Sequence, residues 1–201
     1  MALKLPKIIK DDGVEKMLSQ INTKCTIGAR NYAIIMIMWR CGLRVQEVCD
    51  LMLADADLET GSVYVQQGKG KKDRYTYMDE ETMEVMKEWL NVRPKSQFLF
   101  CTMRGGQLQQ RYIREMCYRI SEKAGVYIQD GRKKKPVNPH VFRHTCLTNM
   151  LQHEGLSIAD VQRIAGHANL STTQVYLHVD DQELAAKMRN RKQKGVYQKA
   201  K

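Results

Sequence analysis

The sequence has no long hydrophobic run. Its longest apolar segment, residues 33–39, has only seven residues, whereas a helix needs roughly 20 to cross a bilayer. The first twelve residues alternate charged and apolar side chains and show no apolar core of a signal peptide. We therefore expect a protein with no membrane partner that stays in the cytoplasm.

The sequence also has no closely paired cysteines. Its six cysteines form no C-x-x-C pair, and the spacing of His140 and His144 supplies only two of the four ligands that a structural zinc site needs. Several cysteines fall in patterns typical of buried helices. The sequence therefore predicts free thiols, no metal site and no cofactor.

Acidic residues are fewer than basic residues. Lysine and arginine give the chain of 201 residues a net charge of +11, and this excess favours a polyanionic partner, with double-stranded DNA the leading candidate. A basic protein without such a partner is the alternative that charge alone leaves open. A length of about 200 residues is ample for one compact domain with its own core.

Apolar spacing predicts an α+β fold that is mostly helical. Helical periodicity and capping signals indicate helices at 14–21, 29–41, from 44 onward, 80–91, 109–124, 139–152 and 158–165. Two-residue alternation indicates a hairpin of strands at 62–67 and 74–78, with a further short strand at 98–101. The basic segment 130–137 reads as a loop. We expect a small antiparallel sheet beside the helices, then a helix with Tyr176 and a final basic helix.

Five short motifs follow one another along this framework. They are Cys41-Gly-Leu-Arg44-Val-Gln-Glu47, Gly68-Lys69-Gly70, His140-Val-Phe-Arg143, Gly166-His167 and Tyr176. Each motif is common alone, but the five in order closely resemble the tyrosine recombinase (phage integrase) family. Cys41 and Ala165 depart from the threonine and leucine common there, and neither change removes a reactive group.

The resemblance implies six catalytic residues and a catalytic-domain fold. The six are Arg44, Lys69, His140, Arg143, His167 and Tyr176. It also implies that residues 1–201 are one catalytic domain, with the motifs in 11–181 and a basic helix and tail in 182–201. The DNA core-binding domain that usually precedes it is expected to be absent from this chain. A homotetramer on DNA and a monomer when free are the implied assembly states.

The chemistry of these residue types supports the same assignment. Attack on a phosphodiester concentrates negative charge at one phosphorus, and guanidinium groups such as Arg44 and Arg143 can donate paired hydrogen bonds to its oxygens. His140 and Arg143 are three residues apart in the first turns of a helix, where free backbone amides also favour an anion. Tyr176 has to lose a proton as it attacks, and His140 is the candidate base.

Two further roles complete this expected reaction. Lys69 can protonate the leaving 5′ oxygen, and His167 can hydrogen-bond the phosphate. Lys71, Lys72 and Arg74 are predicted DNA contacts, although a solvated basic turn explains them nearly as well. We expect integration or excision of a mobile element. The alternatives are a DNA-binding module without catalysis, a type IB-like topoisomerase and a metal-dependent nuclease.

Overall fold

The computed structural model describes residues 7–66 and 73–166. In these ranges the fold is α+β and mostly helical, as predicted. The helices are α1 (Asp11–Leu18), α2 (Thr26–Arg40), α3 (Val45–Asp50), α4 (Glu80–Val92), α5 (Gln110–Ala124), α6 (Pro139–Gln152) and α7 (Ile158–Ala165). The strands are β1 (Ser62–Val65), β2 (Arg74–Tyr77), β3 (Tyr127–Asp130) and β4 (Lys133–Pro136).

Helix α2 is the centre of the hydrophobic core. Residues 33–39 are all buried, because α4 and α6 both pack against this helix. Trp89 of α4 stacks on Phe100 and donates from its Nε1 to the carbonyl oxygen of Leu99 at 2.9 Å. The helix predicted from the most apolar segment is therefore the one around which the others assemble.

A second, smaller apolar cluster joins α6 to α7. It consists of Cys146, Leu147, Met150, Val161 and Ala165. Ser157 and Asp160 form the predicted capping box at the start of α7, and Gly166 ends the helix in the left-handed region at φ 61°. This packing fixes the carboxyl end of α7 against α6.

The strands form two separate antiparallel hairpins in the described chain. In the first, Ser62 of β1 pairs with Tyr77 of β2, as the two-residue alternation predicted. Residues 67–72, between the two strands, lie outside the described residues. The strand predicted at 98–101 is wrong: Phe98 and Cys101 form only isolated bridges.

The segment 130–137 is also not the loop that its charge suggested. Residues 133–136 form β4, which pairs with β3 in the register Asp130 opposite Lys133 and Ile128 opposite Lys135. Gly131, at φ 61°, makes the tight turn between the strands. Three consecutive lysines have low strand propensity, so pairing with β3 decides the conformation. No helix in the described part of the chain is long and apolar enough to cross a membrane.

Candidate active site

Arg44 is the N-cap residue of α3, at the start predicted from the sequence. Its Nη1 donates to Oε1 of Glu47 at 2.7 Å, and its backbone amide donates to Oε2 of the same carboxylate, also at 2.7 Å. A cation is mildly unfavourable at a helix N-terminus, and Glu47 offsets that cost. The Arg44 side chain remains 30% exposed, which leaves it accessible to a ligand.

The first turn of α6 orients His140 and Arg143. Asn138 caps the helix by accepting the backbone amide of His140 at 3.0 Å, and Pro139 occupies the first helical position. The amide of Val141 bonds to the Asn138 carbonyl oxygen at 3.0 Å. The expectation that free backbone amides here would bind an anion is therefore wrong for these positions. Side chains have to provide the donors.

Arg143 is almost fully buried, with 5% of its side chain exposed. Its Nη1 donates to the carbonyl oxygen of Gly42, and its Nη2 donates to that of Ala165 at 2.7 Å. Gly42 has φ 66°, and a Cβ there would lie 3.3 Å from the sulfur of Cys146. The turn after α2 and the end of α7 therefore hold this guanidinium in one orientation.

Glu47 connects the arginines to one another. Arg74 donates from Nη1 and Nη2 to its two oxygens at 2.9 and 2.8 Å, and Arg143 Nη1 lies 4.0 Å from Oε2. Burial alone would raise the pKa of Glu47. The hydrogen bonds and charge of Arg74, the backbone amide of Arg44 and the charge of Arg143 instead lower that pKa to about 2.

The position of Arg74 corrects its predicted role as a DNA contact. Only 4% of its side chain is exposed, and its Nε donates to the carbonyl oxygen of Ile164 at 2.6 Å. In β2 the residues facing inward are Arg74 and Thr76, whereas Tyr75 and Tyr77 are 54% and 60% exposed. Arg74 therefore points into the protein and not into solvent, because Glu47 compensates its charge inside the fold.

Sequence reasoning placed Glu47 in the first motif but gave it no functional role. The available signal was its spacing, since an acid three residues after an N-cap is a capping pattern. Its bonds to Arg74 and its proximity to Arg143 join stretches far apart in the chain, and nothing local encodes them. The structure shows a carboxylate at the centre of the arginine cluster.

The two described histidines of α6 have lowered pKa values. For His140, loss of solvation lowers the pKa first, followed by the charges of Arg114, Arg143 and Arg44. For His144, burial lowers the pKa to about 4, and His140 and Arg143 add to the effect. Arg114 of α5, which sequence reasoning missed, is therefore also close enough to act on the site.

The structure brings three of the six predicted catalytic residues together. Arg44 and Arg143 approach the same carboxylate, and both act on the pKa of His140. Lys69, His167, Tyr176, Lys71 and Lys72 lie outside the described residues. No three His, Cys, Asp or Glu side chains within residues 7–66 and 73–166 come together as a metal site.

Two of these undescribed residues, His167 and Lys69, are close in sequence to described residues of the arginine cluster. The arginine cluster contacts the carbonyl oxygens of Ile164 and Ala165, and Gly166 immediately precedes His167. Arg74, the first residue of β2, follows Lys69 by five positions in the sequence.

The fold and this arginine–histidine cluster agree with a match to one family. The Phage integrase family model matches residues 7–183, and the chain belongs to that family. Tyrosine recombinase XerC of Lactobacillus leichmannii is 34% identical over 194 residues, which cover 92% of this chain and 63% of that protein. Tyrosine recombinase XerD of Listeria innocua serovar 6a is 33% identical over 186 residues, which cover 89% and 60%. The chain thus spans less than two thirds of the length of these relatives.

Solved structures show the same similarity. The crystal structure of XerA recombinase superimposes with a TM-score of 0.77 at 31% identity, covering 96% of this chain and 67% of that chain. XerH site-specific recombinase bound to difH substrate, in a pre-cleavage complex, gives a TM-score of 0.70 at 31% identity. That similarity covers 91% of this chain and 53% of XerH. The helical α+β fold is thus the fold of these recombinases.

Proposed function

We propose that this chain is the catalytic domain of a site-specific tyrosine recombinase, which cleaves and rejoins DNA strands through a covalent bond to Tyr176. One observation carries the proposal. Arg44 at the start of α3 and Arg143 of α6 approach one carboxylate near His140, although these residues come from distant parts of the sequence. Residues 1–201 form this domain in the proposal, with the motifs in 11–181.

The arginines stabilise the charge that develops on the attacked phosphate. Guanidinium groups fit the non-bridging oxygens through paired N–H donors, and they need no reorganisation when they are held in place beforehand. Arg143 is held by two carbonyl oxygens and Arg44 by Glu47. In this proposal the substrate approaches from the side of the partly exposed Arg44.

Proton transfer accompanies the phosphoryl transfer. The Tyr176 oxygen attacks phosphorus, the bond from phosphorus to the 5′ oxygen breaks, and the phenol proton passes to His140. The lowered pKa of His140 supports this role, because the ring is neutral and able to accept a proton at pH 7. Lys69 protonates the leaving 5′ oxygen, and His167 hydrogen-bonds the phosphate. The 3′-phosphotyrosine ester retains the bond energy, so a 5′ hydroxyl can reverse the step without ATP.

We further propose double-stranded DNA as the partner, with the chain acting in a homotetramer on DNA and existing as a monomer when free. XerH in its pre-cleavage complex is bound to difH substrate, and the charge of +11 of this chain favours a polyanion. Lys71 and Lys72, next to Lys69, add backbone contacts in this proposal. The reaction serves integration or excision of a mobile element.

A covalent adduct tests the proposal. Duplexes of randomised sequence, each with a nick that lets the released fragment diffuse away, are incubated with the chain in excess chelator and separated under denaturing conditions. We expect a protein–DNA adduct with the wild type and none with Tyr176→Phe, and the trapped DNA identifies the site. Absence of any adduct would contradict the proposal.

The same experiment, repeated without chelator and on supercoiled plasmid, distinguishes the other candidate functions. DNA binding without an adduct indicates a binding module. Adducts without sequence preference, together with relaxation of supercoiled plasmid, indicate a type IB-like topoisomerase. Cleavage that stops in chelator indicates a metal-dependent nuclease.

A further inference from the structure

The hairpin β3–β4 presents four consecutive cations at the protein surface. Arg132, Lys133, Lys134 and Lys135 are all exposed. The hairpin leads directly into α6, so that Lys134 precedes His140 by only six residues. At about 3.3 to 3.6 Å per residue, the two Cα atoms lie at most about 20 Å apart. That is shorter than one turn of a DNA duplex, about 34 Å.

The base of this hairpin is anchored to the rest of the fold. Ile128 is buried at 5% exposure. Asp130 forms ion pairs with Lys7 and Lys135, and the backbone amide of Val137 donates to Ser121 Oγ of α5 at 2.9 Å. The cations at its tip are therefore carried by a fixed two-stranded element that adjoins the proposed active site.

The tip has no internal counter-charge in the described chain. Both ion pairs of Asp130 go to Lys7 and Lys135, and none of the ion pairs formed by the described residues includes the other three cations of the run. These three are Arg132, Lys133 and Lys134. Like charges on neighbouring positions repel one another. Binding of an external anion would therefore reduce the repulsion among these three cations.

The cations are not simply part of an evenly basic surface. Helix α4 carries Glu80, Glu81, Glu84 and Glu88 against a single lysine. Burial raises the pKa of Tyr32, and the charges of Glu81, Glu88 and Glu15 of α1 raise it further. The α1 and α4 surface is therefore acidic and unsuited to a polyanion, whereas the β3–β4 tip is basic.

We propose that the tip of the β3–β4 hairpin binds the DNA backbone beside the cleaved phosphate, with Arg132, Lys133 and Lys134 each contacting a phosphate group. This inference rests on the proposed function, because it takes the duplex at the arginine cluster as the ligand. Contacts to phosphate carry no base information. The hairpin therefore adds affinity and orientation, and leaves the choice of sequence to other elements.

The salt dependence of DNA binding tests the inference. The triple variant Arg132→Gln, Lys133→Gln, Lys134→Gln is compared with the wild type on a fluorescent duplex, by anisotropy between roughly 50 and 200 mM salt. Each lost phosphate contact reduces the slope of log Kobs against log salt by about 0.9, so we expect a slope that is smaller by about 2 to 3. The control removes Lys16 and Lys87, exposed lysines of the acidic surface, as Lys16→Gln with Lys87→Gln.

The outcomes separate this inference from the proposed function. A triple variant with the slope of the control, or a wild type that shows no salt-dependent binding, overturns the inference. Adduct formation at Tyr176 with an unchanged slope shows that the recombinase proposal stands and the hairpin contact fails. A reduced slope without any adduct shows that the hairpin contacts DNA and that the recombinase proposal fails. Melting temperatures of both variants, expected to equal that of the wild type, exclude a folding defect.

Discussion

Replacing Glu47 with glutamine should strongly destabilise the protein at neutral pH. Glutamine keeps the shape of the side chain and removes the negative charge beside Arg74 and Arg143, both nearly buried. Breaking a buried ion pair from one side costs about 3 to 5 kcal/mol. Independently, lowering the Glu47 pKa from 4.5 to about 2 corresponds to about 3 kcal/mol, at about 1.4 kcal/mol per pKa unit.

The two magnitudes agree, so we expect Glu47→Gln to lose about 3 kcal/mol of unfolding free energy at pH 7. The sign of the pH dependence follows from the lowered pKa. The stabilisation by Glu47 is fully present above about pH 4.5, the pKa of the unfolded chain, and is lost as the pH falls to about 2. The difference between wild type and variant should therefore shrink across that range.

Urea unfolding followed by tryptophan fluorescence measures both effects, because Trp39 and Trp89 are buried in the folded chain. The matched control is Glu115→Gln, which breaks the exposed pair of Glu115 with Arg111 and should produce no measurable change. If Glu47→Gln equals this control at pH 7, or if its deficit is the same at pH 5 and pH 3, the assigned role of Glu47 is wrong.

Three further predictions concern the residues around Arg143. Gly42→Ala should destabilise the chain by about 1 to 2 kcal/mol in urea unfolding, because L residues are strained at φ 66°; an unchanged midpoint would contradict this. Arg143→Lys should slow adduct formation by about 100-fold or more, since one ammonium group cannot span the Gly42 and Ala165 carbonyl oxygens and still present paired donors. A rate within a few-fold of wild type would refute that reasoning. His144 should titrate in NMR spectra with a pKa of about 4, so that its contribution to stability is present above pH 6.5 and lost as the pH falls towards 4. A midpoint near 6.5 would show that its ring is not desolvated.

Sequence patterns predicted the helices well because their signals are local. Asn138 and Pro139 mark the start of α6 and Gly125 marks the end of α5, and the structure shows the cap, the first-turn proline and the left-handed glycine. The helix start at Arg44 was predicted in the same way. Each of these features depends on residues within one or two turns.

The errors arose where distant contacts decide the structure. The segment 133–136 reads as a loop by composition, yet pairing with β3 makes it a strand. Arg74 reads as a surface cation of a basic turn, yet Glu47 and the Ile164 carbonyl oxygen draw it into the interior. Burial of a charge depends on partners far along the chain, and no local pattern reports them.

The identity of the phosphorylated residue tests the central claim most directly. Nuclease trimming of the trapped adduct, followed by peptide mass spectrometry, should find a nucleotide on Tyr176, joined through the 3′ phosphate of the cleaved strand. The partner fragment should leave with a free 5′ hydroxyl. A nucleotide on another residue, or linkage through a 5′ phosphate, would contradict the account.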